Sequence, residues 1–115
     1  MAQNLILDKS KSFAIRIVRL YKYLVEEKRE YVMSKQIMRC GTSIGANVHE
    51  AIRGQSKQDF RAKMNIALKE ASETEYWLEL LKNTDYITQE QYESINADCV
   101  EINKILISIV RTSNE

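Results

Sequence analysis

FRAKMNIALKEASETEYWLELL, residues 60–81, decides the fold. Within it Phe60, Met64, Ala67, Ala71, Thr74, Leu78 and Leu81 follow one another by steps of four and three. A helix with 3.6 residues per turn brings all seven onto one face and leaves the charged residues on the other. Such a stripe must be buried against another element. Ser56, with Asp59 three residues later, opens this helix, because a carboxylate is favourable in a first turn. Asn83, Thr84 and Asp85 read as the turn that closes it.

The same spacing recurs on both sides. Upstream, Ile37, Gly41, Ile44, Val48 and Ala51 step by 4, 3, 4, 3. Ser34 is expected to cap that helix, and Gly54 to stop it in a left-handed turn. Further back, Phe13, Ile17, Leu20 and Leu24 form one row, and Ala14, Val18, Tyr21 and Val25 a second beside it. The run EEKRE, residues 26–30, reads as a solvated end. Downstream, Thr88 and Gln91 have capping-box spacing. Tyr92, Ile95, Cys99, Ile102, Leu106 and Ile109 then carry a last helix, apolar nearly all round near its end. The spacing predicts helices over about 8–27, 34–53, 57–83 and 89–112. Short connections make neighbours antiparallel, so the expectation is an all-α, up-down-up-down four-helix bundle in one domain, residues 1–115.

Composition agrees. The 115 residues contain no proline, and all three glycines lie between Gly41 and Gly54. A hydrophobic share of 44% and a charged share of 29% describe an ordinary soluble chain with one modest core. The apolar run Leu5 to Leu7 is too short for a secretory signal, and no stretch approaches a membrane span, so a cytoplasmic protein is expected. Cys40 and Cys99, far apart and without C-x-x-C spacing, read as two buried free thiols. Gly41 and Gly45 share a face of helix two, as Ala67 and Ala71 do on helix three. Close approach of those two backbones would compensate for about 1 kcal/mol of helix propensity lost at each glycine.

Charge is unevenly spread. Residues 1–63 carry a net +7 and residues 64–115 a net −6. In an up-down bundle one pole collects Lys9, Lys11, Arg53, Lys57, Arg61, Lys63 and Arg111 against Asp8, Asp59 and Glu115. The opposite pole is mainly acidic. Lys35, Arg39, His49 and Arg53 also fall on a stripe of helix two, and Lys9, Arg16 and Arg19 on one of helix one.

Catalytic and cofactor chemistry finds little support. A di-iron carboxylate bundle needs two Glu-x-x-His pairs, and this chain has one histidine, His49. A zinc site would need Cys40, Cys99 and His49 to converge from apolar and polar faces. No glycine loop cradles phosphate. No enzyme, no cofactor and no metal is the expectation. Ser43, Asn47 and Glu50 form a polar line beside the core row of helix two. They serve either backbone and cross-helix partners or a subunit interface or ligand groove.

Ser43-Ile44-Gly45-Ala46-Asn47-Val48-His49-Glu50, then Ser56-x-x-Asp59-Phe60 and the stretch from Ala67 to Leu81 with Glu73 and Glu75, resemble a small four-helix-bundle family. Its founding members are encoded in intervening sequences of bacterial large-subunit ribosomal RNA genes, and it is loosely labelled ribosomal. Members commonly place glycine directly after the glutamate; here Ala51 follows and glycine waits until Gly54. The resemblance covers the whole chain and implies an antiparallel bundle assembled as a ring-like homopentamer. The chain is also similar to the accessory protein of diversity-generating retroelements, a pentameric bundle whose basic surface meets reverse transcriptase and nucleic acid. Ile15 and Ile105, placed on outer faces, are candidate contacts between copies.

Two functions stay open on the sequence. One is an oligomer that binds RNA or single-stranded nucleic acid through Lys9, Arg16, Arg19, Lys35, Arg39, His49, Arg53, Lys57, Arg61 and Lys63. The other is a scaffold ring for an unknown protein partner, whose charges only keep it in solution.

Overall fold

A computed structural model describes residues 2–113; Glu115, assigned above to the basic pole, lies outside them. Four helices follow in order: α1, Ala2–Glu26; α2, Met33–Arg53; α3, Lys57–Asn83; and α4, Gln89–Ser113. Each packs on its neighbours in sequence and α4 returns to α1, while among the described residues the backbones of diagonal helices stay more than 8 Å apart, Cα to Cα. Cross-helix pairs fix the directions. Lys9 meets Glu101 and Arg16 meets Asp98, while Arg39 meets Glu70 and Glu50 meets Lys63. As one number rises its partner's falls, so these neighbours are antiparallel. The molecule is a bundle of 44 × 20 × 18 Å with up-down-up-down order.

Most of the core is the rows read from the spacing, but on α1 the second row, Ala14, Val18, Tyr21 and Val25, together with Leu20, is only partly buried, so the buried face is narrower than two full rows. Phe13, Ile17 and Leu24 meet Ile37, Ile44 and Val48, and Met64, Ala67, Ala71, Leu78 and Leu81 meet Ile95, Cys99, Ile102 and Leu106. Helix α1 starts at Ala2 rather than at Asp8. Its rhythm runs back from Phe13 through Ser10 to Ile6, and both of those are fully buried. A serine in the row hid the continuation.

Ser10 is small for a reason. A Cβ placed on Gly45 would lie 3.3 Å from the Ser10 carbonyl oxygen, and one on Gly41 would lie 2.7 Å from Ile17 Cγ1. The glycines of α2 therefore admit α1, not the Ala67–Ala71 face of α3 as expected. The row pattern marks the buried stripe of a helix but does not say which neighbour stands on which flank.

Three terminal expectations change. Ser34 does not cap α2. The carboxylate of Glu30 does, accepting from the backbone N–H groups of Val32, Met33 and Ser34 at 3.1, 3.0 and 2.7 Å, while the Ser34 hydroxyl donates to the Glu30 carbonyl. Glu30, read as solvated, is only 7% exposed. Gly54 is extended, at φ −65° and ψ 156°, so α2 ends without a left-handed residue. The left-handed positions are Arg29 and Asp85 instead. At Asp85 the Tyr86 N–H returns to Leu81 and the Asp85 N–H to Lys82, the paired bonds of a Schellman turn. Ser56 and the Thr88–Gln91 box cap α3 and α4 with the bonds their spacing foretells.

Candidate nucleic-acid interface

The ten residues proposed from sequence do not form one surface. Arg39 projects from α2 between two carboxylates of α3, bonding Glu70 Oε2 at 3.2 Å and also Glu73. Glu73 is held in turn by the Trp77 indole N–H at 3.0 Å. Arg16 reaches α4, bonding Asp98 at 2.7 Å and both the hydroxyl and the carbonyl of Ser94. Lys9 pairs with Glu101, and Lys63 with Glu50, each at 3.1 Å. These four side chains cross-link helices along their seams. Being partly exposed, such pairs stabilise modestly, about 0–1 kcal/mol each. Their main consequence is electrostatic: two of the three cations of the helix-one stripe and the centre of the helix-two stripe are neutralised locally.

Among the described residues Arg19, Lys35, His49, Arg53, Lys57 and Arg61 have no such carboxylate partner. Four of them cluster by topology. His49 and Arg53 occupy the last turns of α2, and Lys57 and Arg61 the first turns of α3. The connecting residues are only Gly54, Gln55 and Ser56, so these four share one pole. Arg111, in the last turn of α4, ends at the same pole. Asp59 stands among them in the first turn of α3. Lys35 lies at the opposite end of α2. Arg19 lines a groove of about 450 Å³ between α1 and α4, with Leu20, Tyr23, Ile87 and Ile95 as its apolar floor.

Two members of the polar line of α2, Asn47 and Glu50, have side-chain partners. The Asn47 amide donates to the Ser43 carbonyl at 2.8 Å, and Glu50 holds Lys63. Ile44 and Gly41 are core, and Gly45 touches α1. Of the two apolar residues offered as contacts between copies, Ile15 is 46% exposed. Ile105 is instead partly buried against the core, and the exposed isoleucine of that segment is Ile107. The reason is angular: Ile105 stands one residue before the core residue Leu106, on the flank that α1 covers.

Both cysteines are free and buried. Burial pushes both thiols above their ordinary value, Cys99 furthest, with Glu75 adding to it there. Among the described residues no three His, Cys, Asp or Glu side chains converge on a metal-sized site, and no helix is long and apolar enough to cross a membrane.

A family model described as 23S rRNA-intervening sequence protein matches residues 2–108. The chain is also similar to a crystal structure from Bacteroides thetaiotaomicron, described as a protein with unknown function from the S23 ribosomal protein family. The two are 67% identical, with a TM-score of 0.95, over 96% of this chain and 99% of that one. No curated protein matches. The likeness to the retroelement accessory protein rests on the sequence motifs alone.

Proposed function

This chain belongs to the 23S rRNA-intervening sequence protein family, and from that premise we propose a non-enzymatic bundle that assembles into a ring and binds RNA phosphates at its basic pole. The number of copies carried over from the family resemblance is five. The observation that supports nucleic-acid binding is the contrast between seam and pole. Lys9, Arg16, Arg39 and Lys63 are satisfied by the protein's own carboxylates, whereas Arg53, Lys57 and Arg61 share one pole with no ion pair among the described residues, even with Asp59 beside them. A ring would repeat that patch once per copy around one rim, and phosphate contacts add through counterion release. No sequence-reading motif accompanies the patch, so the binding is to the backbone rather than to bases. Two buried reduced thiols suit work in the cytoplasm.

The test is binding of a labelled structured RNA across a salt series by the protein and by an R53E/K57E/R61E variant. The proposal expects a steep salt slope that the variant abolishes, with helical signal and particle size unchanged. Unaltered binding by the variant removes this surface. No binding by the parent protein at low salt leaves the second reading, a scaffold ring. That reading is favoured by the internal pairing of four cations and by exposed apolar residues such as Ile15 and Tyr76.

A further inference from the structure

The seam between α1 and α4 is the loosest of the four. Two grooves open along it. The smaller, of about 300 Å³, is lined by Lys9 and Glu101, which pair with each other and leave no charge to spare. The larger is the groove of about 450 Å³ that holds Arg19.

Antiparallel helices advance in step, so the missing bond in the larger groove can be located. Lys9 of α1 meets Glu101 of α4, and seven residues further on Arg16 meets Ser94, seven residues further back. The same register brings Arg19 level with Gln91, with Glu90 beside it, and Tyr23 level with Ile87; all four line the groove. Arg19 and Glu90 supply the opposite charges of one more rung between the helices. Both are exposed, and among the described residues neither has an ion-pair partner. Beneath them lies an apolar floor, where Ile87 and Ile95 are only 5% and 6% exposed and Leu20 is partly buried.

A cation and a carboxylate on opposite walls of an apolar groove select a ligand that carries both charges. A simple anion on Arg19 would bring its charge toward Glu90, and a simple cation on Glu90 would bring its charge toward Arg19. Only a zwitterion meets both walls with the opposite sign. The guanidinium fork suits a carboxylate, which it can hold by two parallel N–H bonds. The Glu90 carboxylate accepts from an ammonium group. The floor adds a demand for an apolar body. The volume falls within the roughly 300–1,000 Å³ of small-molecule sites, which combine an apolar lining with a few placed polar groups.

We propose that this groove binds a free α-amino acid with a large apolar side chain. Its carboxylate rests on Arg19, its ammonium group on Glu90, and its side chain on Leu20, Ile87 and Ile95. The ligand completes the rung that the two helices leave open and ties α1 to α4. The site is separate from the basic pole, since Arg19 lies in the second half of α1, toward the opposite end of the bundle from Arg53, Lys57 and Arg61. It therefore stands or falls independently of RNA binding.

Titration of the full-length, nitrogen-15-labelled protein with L-phenylalanine and with L-leucine tests the proposal by NMR. The expected result is a saturable shift of the backbone amides of Arg19, Leu20, Gln91 and Ile95. Arg19→Gln and Glu90→Gln should each weaken the affinity at least tenfold. Leu20→Trp, which fills the groove and leaves both charges in place, should abolish it. Two phenylalanine analogues separate the charges: 3-phenylpropanoate lacks the ammonium group and 2-phenylethylamine the carboxylate. Each should bind at least tenfold more weakly than phenylalanine. Because binding favours the folded state, the melting temperature should rise with amino-acid concentration in the parent protein and not in R19Q or E90Q. Circular dichroism verifies that every variant is helical. No saturable shift with either amino acid up to its solubility limit overturns the proposal. Parent-like affinity in R19Q or E90Q also overturns it, as does 3-phenylpropanoate binding as tightly as phenylalanine.

Discussion

Gly41 of α2 is the socket for Ile17 of α1: a Cβ built on the glycine would meet Cγ1, Cγ2 and Cδ1 of that isoleucine at 2.7, 2.9 and 3.0 Å. Both residues are fully buried, and neither a glycine in a helix nor a branched side chain at a helix crossing makes sense alone. Together they let α1 and α2 approach closely at this level. The glycine's unfavourable helix propensity is offset by packing that only its missing side chain permits.

Gly41→Ala should therefore destabilise the bundle despite improving local propensity. Overpacking costs about 1–3 kcal/mol, against about 1 kcal/mol regained from the helix. Urea unfolding should show a lower midpoint, and adding Ile17→Val should recover part of the loss. Gly45→Ala meets the Ser10 carbonyl at 3.3 Å, a gentler contact, so its net effect should be smaller.

Glu30→Ala should cost about 1–2 kcal/mol, the worth of a good N-cap. Its carboxylate serves three backbone N–H groups that no other described side chain reaches. Hydrogen exchange should speed up first at Val32, Met33 and Ser34. Ser34→Ala should be milder, since its hydroxyl only donates back to the Glu30 carbonyl.

Arg39→Ala should leave RNA affinity almost unchanged, whereas Arg53→Ala should weaken it. The Arg39 guanidinium is engaged by Glu70 and Glu73, and removing it deletes a seam contact. A double-mutant cycle between Arg39 and Glu73 should return about 1 kcal/mol or less, because both side chains are partly exposed. Titration of the same RNA with the two variants at one salt concentration separates the roles.

Stability should fall as pH rises above about 9, the ordinary thiol value. In the folded protein burial holds the Cys99 and Cys40 thiols protonated, while the unfolded chain ionises them at their ordinary value. The unfolded state thus binds fewer protons there, and linkage makes unfolding easier with each step in pH. Tyr92, raised mainly by burial, adds the same sign at higher pH. Urea midpoints at pH 8 and pH 9.5 should converge in a C40A/C99A variant, measured against that variant's own lower baseline.

Much of the fold was legible because helical burial is periodic. The steps from Phe60 to Leu81 named the α3 stripe, and every member from Met64 onward is buried. The caps at Ser56 and Thr88 were legible because they are local bonds between residues three apart. Ile6 and Ser10 were missed because one small polar residue interrupts the apolar row. Its place there is set by a glycine on another helix.

The candidate site was legible only as composition. Lys35, Arg39, His49 and Arg53 do share a face of α2, as their spacing says. Whether each charge is spent or spare depends on what the neighbouring helix presents at that height, and no local pattern holds that information.

The sequence by itself determined four amphipathic helices, their order, their buried rows and the uneven charge, since all of these follow from spacing along one chain. Only the tertiary structure decided which flank of each helix meets which neighbour. It set Gly41 against Ile17, clamped Arg39 between Glu70 and Glu73, and turned Glu30 inward to cap α2. These relationships depend on the handedness and register of packing. They join residues that are distant in sequence or sit in an irregular turn, where periodicity is silent.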